Sequence, residues 1–115
     1  MQNMESGDII LASLLQSNGK TKLRPALVLK KIPPYNDLLV CGISTQINQE
    51  VIGFDEPITT NDHDFEQSGL FQSSLIRLGY LAIVPEVIIA GSIGKVSAKR
   101  LILLKQRLSD FILSD

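Results

Sequence analysis

The chain has 115 residues, 44% hydrophobic and 20% charged, with a formal net charge of −1. This is enough for one domain with its own core, here taken as 1–115, and it excludes a disordered or fibrous chain. The single cysteine excludes a disulfide framework, and no apolar stretch approaches the roughly 20 residues that span a bilayer.

Gly7-Asp8 reads as a turn that feeds a first strand, Ile9 to Leu14, whose β-branched start favours extension. A basic loop expected to be flexible follows, from Gln16 to Lys22, with Lys20 and Lys22 in it. Arg24-Pro25 then stands at the expected mouth of a second strand, Ala26 to Lys31, which is nearly all apolar and reads as buried on both faces. Proline is tolerated at a strand's first residue and keeps the preceding arginine extended. A guanidinium held on a stiff strand suits a planar or phosphate anion. The ordinary alternative is an ion pair with a surface carboxylate.

Pro33-Pro34-Tyr35-Asn36-Asp37 breaks the chain before a third strand, Leu38 to Ile43, which ends in the polar cluster Ser44-Thr45-Gln46. From Asn48 to Gln67 the chain is acidic and turn-rich, with a short extended piece expected near Val51–Phe54, and it reads as a solvated surface excursion. Further strands are expected at Ser74–Leu78 and Tyr80–Val84. An apolar run, Val87 to Ala90, follows, and Gly91-Ser92-Ile93-Gly94 is expected to bend the chain.

Ser97 is a candidate N-cap for a closing helix, Ala98 to Leu113. Leu101, Leu104, Leu108, Phe111 and Ile112 recur there at helical steps, while Ile102 and Leu103 widen the apolar face towards either the sheet or a second subunit. Many short strands and one helix point to a mainly β fold: a small, SH3-like antiparallel barrel with a C-terminal helix.

Charge is unevenly placed. Residues 1–40 balance to +2, residues 41–75 to −6 with no Lys or Arg, and residues 76–115 to +3. A basic face is thus compatible with a near-neutral protein, since local potential governs where an anion docks. No basic-then-apolar leader opens the chain, so a cytoplasmic protein without membrane contact is expected.

His63 and Cys41 stand alone as nitrogen and sulfur ligands, so neither a metal site nor a cofactor is expected. Gly91-x-x-Gly94 lacks the Lys-Ser/Thr of a phosphate loop, and no serine or cysteine has a histidine in a suitable context. Cys41 reads as a buried small apolar residue. Three positive features remain: Arg24, the hydroxyls of Ser44 and Thr45, and Arg77 near the end of a later strand. Two guanidiniums and a hydroxyl on one surface would stabilise charge building on a phosphodiester, and RNA brings its own 2′-OH nucleophile. Each has a plain alternative as well, a salt bridge for Arg77 and a backbone cap for the hydroxyls.

Gly7-Asp8-Ile9-Ile10, then Arg24-Pro25-Ala26-Leu27-Val28-Leu29, then Val40-Cys41-Gly42-Ile43-Ser44-Thr45, resembles the MazF/PemK toxin family of bacterial endoribonucleases. Ser68-Gly69-Leu70, Ser74-Leu75-Ile76-Arg77 and Ile93-Gly94-Lys95-Val96-Ser97 follow in that family's order, so the likeness covers about Gly7 to Leu113. The resemblance implies a MazF/PemK/CcdB-like barrel that forms a homodimer, with single-stranded mRNA in a groove across it. It implies a cognate antitoxin whose tail covers the groove, and operator DNA contacted through the toxin–antitoxin complex. It also implies metal-independent cleavage to a 2′,3′-cyclic phosphate and a 5′-hydroxyl.

On that resemblance Arg24 becomes the phosphate clamp and candidate proton donor, and Ser44 takes the place of the family's strand-end threonine. Thr45, Arg77, Lys20, Lys22 and Gln46 become auxiliary or RNA-binding residues. Some PemK-type members carry an aspartate two residues beyond the later arginine; here that place is Gly79. Tyr35, Phe54 and Phe71 are the candidate base-stacking aromatics. Two other readings keep the fold and discard the chemistry: a gyrase-poisoning toxin like CcdB, or an inactive antitoxin-binding relative.

Overall fold

A computed structural model describes residues 3–115. The apolar runs of the first half become three consecutive strands, β1 (Asp8–Leu15), β2 (Thr21–Ile32) and β3 (Asp37–Ser44). β4 (Glu56–Ile58), β5 (Ser74–Val84) and β6 (Ile89–Lys95) complete one antiparallel sheet with the spatial order β4-β5-β3-β2-β1-β6. The sheet is curled into a half-barrel, with a single helical turn, α1 (Phe65–Ser68), and a C-terminal helix, α2 (Ala98–Leu113). The mainly β class with one closing helix is as the sequence implies.

The alternation of side chains along each strand separates two cores on the two faces of the sheet. Ile9, Leu27, Cys41, Ile43, Ile76 and Leu78 pack with Leu104 and Leu108 of α2 on one face. Ile10, Ala12, Leu14, Ala26, Val28, Val40 and Val84 form the second core on the other face. Strand β2 contributes to both, which is why its sequence lacks polar alternation. Ser97 caps α2: its Oγ accepts from the Arg100 backbone N–H at 3.2 Å. The helical stripe buries Leu104 and Leu108, whereas Phe111 and Ile112 stay exposed and Phe111 leans on the Phe54 ring.

Several expectations are corrected. β2 begins at Thr21, so Pro25 lies inside the strand, paired with Leu11. It is tolerated because pairing with β3 starts only at Ala26, leaving one flank of β2 open at residues 21–25. The β1–β2 connection is a hairpin turn, with the Gln16 N–H donating to Lys20 O at 2.7 Å and the Lys20 N–H to Asn18 Oδ1 at 3.0 Å. Residues 51–54 form turns, and the extended piece of that region is β4 instead.

Ser74 to Val84 is one strand. Gly42 of β3 pairs with Arg77, but Cys41 pairs with Leu81, so residues 78–80 form a bulge on β5. Gly91 to Gly94 lies within β6 rather than at a bend. Gly94 serves a close approach instead: a Cβ there would lie 2.2 Å from Gln67 O of α1.

The acidic stretch is solvated only in part: half of residues 48–67 are exposed, while Glu56, Asp62 and Asp64 are folded against the helix. Arg100 donates from Nε and Nη2 to the two oxygens of Asp64, both at 2.9 Å, and also reaches Asp62, Glu56 and Pro57 O. Arg107 bonds Glu56 and Asp55 O. The Asp64 side chain is fully buried and also accepts from the Ser97 N–H. Its hydrogen bonds from Arg100 hold the carboxyl far below the usual carboxylate range, against the opposing effect of burial. They likewise raise Arg100 above an ordinary arginine.

Candidate active site

Residues directly opposite one another in an antiparallel sheet share a face, as do residues two apart along a strand. Ala26 of β2 stands opposite Gly42 of β3, and Gly42 stands opposite Arg77 of β5. Arg24, two before Ala26, and Ser44, two beyond Gly42, therefore lie on the same face as Arg77. That face also carries the second core, and beyond it opens a pocket of about 290 Å³. Arg24, Ser44, Gln46 and Arg77 all line it.

The pocket lining carries two guanidiniums and no carboxylate. Neither Arg24 nor Arg77 forms a salt bridge among the described residues, whereas Arg100 and Arg107 are paired with the acidic stretch. Three of the six acids of residues 41–75, Glu56, Asp62 and Asp64, are held by the helix arginines, and none of the six lines the pocket. Arg77 Nε is buried and has no hydrogen-bond partner. A buried donor left unmet is costly, more so on a charged group.

Ser44 does what strand-end hydroxyls commonly do: its Oγ accepts from the Gln46 N–H at 3.0 Å. That bond fixes the rotamer and leaves the hydroxyl proton without an acceptor among the described residues, so it can donate to a phosphate oxygen. Thr45 is exposed and outside the lining; its backbone oxygen starts the turn Ile47–Gln49. Lys20 and Lys22 are exposed and also outside the lining. They stand on the hairpin turn and the first residues of β2, upstream of Arg24.

The aromatics are rearranged relative to expectation. Tyr35 and Phe71 are exposed away from the pocket and Phe54 packs on Phe111. The ring that lines the pocket is Tyr80. It lies over Gly42, where an added Cβ would come within 3.1 Å of its Cδ1, and its hydroxyl donates to Leu15 O at 2.6 Å. Arg77 and Tyr80 are three residues apart, an odd spacing that a regular strand would send to opposite faces; the bulge at 78–80 brings both into the pocket. Gln16, Ser17 and Gln49 complete the polar rim. Only the register, not local sequence, could have found these residues.

Gly79 is exposed and outside the lining, and a Cβ at this position would face the Phe54 ring at 3.7 Å. Cys41 is enclosed in the first core, and burial, with a smaller effect of the Asp55 charge, pushes its thiol up to about 12. It is a packing residue and no nucleophile. Among the described residues no three His, Cys, Asp or Glu side chains gather as metal ligands, and no helix is long and apolar enough to cross a membrane.

A family model for the PemK-like, MazF-like toxins of type II toxin–antitoxin systems matches residues 5–112. The solved structure of Mycobacterium tuberculosis toxin MazF-mt6 matches with a TM-score of 0.70 and 21% identity, covering 94% of this chain and 98% of that one. Likeness at that identity establishes the common fold. No curated protein matches the sequence.

Proposed function

Because the chain belongs to the PemK-like, MazF-like toxins of type II toxin–antitoxin systems, we propose that it is a metal-independent endoribonuclease acting on single-stranded mRNA. The observation that carries this reading is the pocket in which Arg24, Arg77 and Ser44 converge with no acid to neutralise them. A phosphodiester is the anion such a pocket fits: two guanidiniums spread over its oxygens, and the Ser44 hydroxyl fixes one of them.

In the reaction the 2′-OH of the RNA attacks phosphorus, forming the 2′,3′-cyclic phosphate as the bond to the 5′-oxygen breaks. Arg24 and Arg77 stabilise the added negative charge of the pentacoordinate phosphorus. The lining offers neither imidazole nor carboxylate, so the 2′-OH proton passes to solvent and the departing 5′-oxygen takes one up. Arginine remains charged throughout and acts as a clamp rather than as the acid.

A cognate antitoxin is the partner this family membership implies. Homodimerisation, operator DNA bound through the antitoxin complex, and a cytoplasmic location belong to the same reading. The test is direct. Purified protein incubated with single-stranded RNA in EDTA is expected to yield fragments with 2′,3′-cyclic phosphate and 5′-hydroxyl ends. Intact RNA after prolonged incubation, or 3′-hydroxyl ends, would end the proposal.

A further inference from the structure

Electrostatic clamping of a phosphate carries no base information, so selectivity must come from what lies beside the clamp. Of the six aromatic residues in the chain, Tyr80 alone lines the pocket. Its ring is held at two points: it rests on Gly42, and its hydroxyl is tied to Leu15 O at 2.6 Å across the sheet. With that hydroxyl committed, the ring itself is what Tyr80 offers to a ligand. A half-buried, doubly anchored ring beside two unpaired guanidiniums is pre-organised, so little side-chain entropy remains to be lost on binding.

We propose that Tyr80 is the base-stacking platform of this site and a specificity-determining residue, seating the nucleobase next to the phosphate held by Arg24 and Arg77. Stacking tolerates any base, so discrimination also needs hydrogen bonds to base edges. The side-chain amides of Gln46 and Gln49, which line the same pocket, form no hydrogen bond among the described residues and offer both donors and acceptors. The proposal rests on the RNA-cleaving reading of the pocket and assigns its base subsite.

The experiment separates the two. Binding is measured with a short single-stranded RNA carrying 2′-deoxyribose at the cleaved position, which cannot be cut there, and cleavage sites are mapped on a long natural transcript. Tyr80→Ala and Tyr80→Leu are expected to weaken binding about 10- to 100-fold, the range spanned by loss of one stacked base, and to change the bases flanking the cut. Tyr80→Phe, which keeps the ring and loses the bond to Leu15, is expected to stay within about threefold of the wild type and to keep its sites. Wild-type protein that ignores RNA would remove the proposal together with the nuclease reading. If wild-type protein binds and cuts RNA, but alanine at 80 binds as well and cuts the same sites, the proposal alone fails. It also fails if Tyr80→Phe is as impaired as Tyr80→Ala while equally folded by circular dichroism, since the hydroxyl tie would then be the operative feature.

Discussion

Gly42 stands directly opposite Arg77, and Tyr80 folds back over the space its missing side chain leaves. With Ala26 on the other side of Gly42, this gives a shallow floor spanning β2, β3 and β5, with Arg24 at one wall and Arg77 at the other.

The two ends of the clamp are expected to differ from Ser44 in weight. Arg24→Ala should lower RNA cleavage by about 10²-fold or more, the effect of removing one transition-state charge donor. Ser44→Ala should cost about 10- to 100-fold, one hydrogen bond to a charged phosphate oxygen, and Ser44→Thr should retain most activity. Single-turnover cleavage of a defined RNA measures all three.

Arg77 should show a trade-off. Replacing it with Met removes a buried, unmet Nε donor, so unfolding stability should hold or rise by about 1 kcal/mol while cleavage falls. Urea titration beside the same cleavage assay tests this. A large loss of stability would mean that Arg77 serves the fold.

Gly42→Ala should impair the site from beneath. The new methyl would sit 3.1–3.2 Å from the Tyr80 ring, whose bond to Leu15 O restrains the few tenths of an ångström it would have to give. The expected destabilisation is about 1–3 kcal/mol, with weaker RNA binding. Thermal unfolding and binding to uncleavable RNA are the readouts.

The Arg100–Asp64 pair should govern acid stability. Because Asp64 is depressed in the folded protein, its stabilisation is complete above the unfolded aspartate value of about 4 and is lost as pH falls towards its lower folded value. Asp64→Asn should therefore destabilise by about 3–5 kcal/mol near neutrality, the cost of breaking a buried pair. That gap should narrow below about pH 4. Urea titrations at pH 7 and pH 3 would show it, and an unchanged gap would contradict the assignment.

Gly94→Ala should be destabilising while leaving RNA chemistry intact in the folded fraction. Its Cβ would lie 2.2 Å from Gln67 O, a backbone atom that cannot yield cheaply. A loss of about 3 kcal/mol is expected, read from denaturant midpoints.

Much of this was legible in the sequence for physical reasons. Helix α2 announced itself through Ser97 and a 3.6-residue stripe, and β2 through an apolar run serving two cores. Arg24, Ser44 and Arg77 followed from motif order, and the register brings them to one pocket. What was not legible depends on contacts distant in sequence. Asp64 and Arg100 are 36 residues apart, so nothing local to the acidic stretch reveals the arginine that binds it. Gly94 read as a bend because nothing local to it reveals α1 across the gap.

The bulge in β5 makes residue count, rather than residue identity, a property of the ligand-facing wall. An insertion or deletion is commonly harmless in an exposed connection, but between Leu78 and Tyr80 a change of one residue would rotate one of the two flanking side chains through the sheet. On the proposed reading, a chain shortened in this segment would keep the arginine and present a different neighbour to the nucleotide beside it. A change of length at these three positions would thus alter what this wall presents while leaving Arg24 and Arg77 in place.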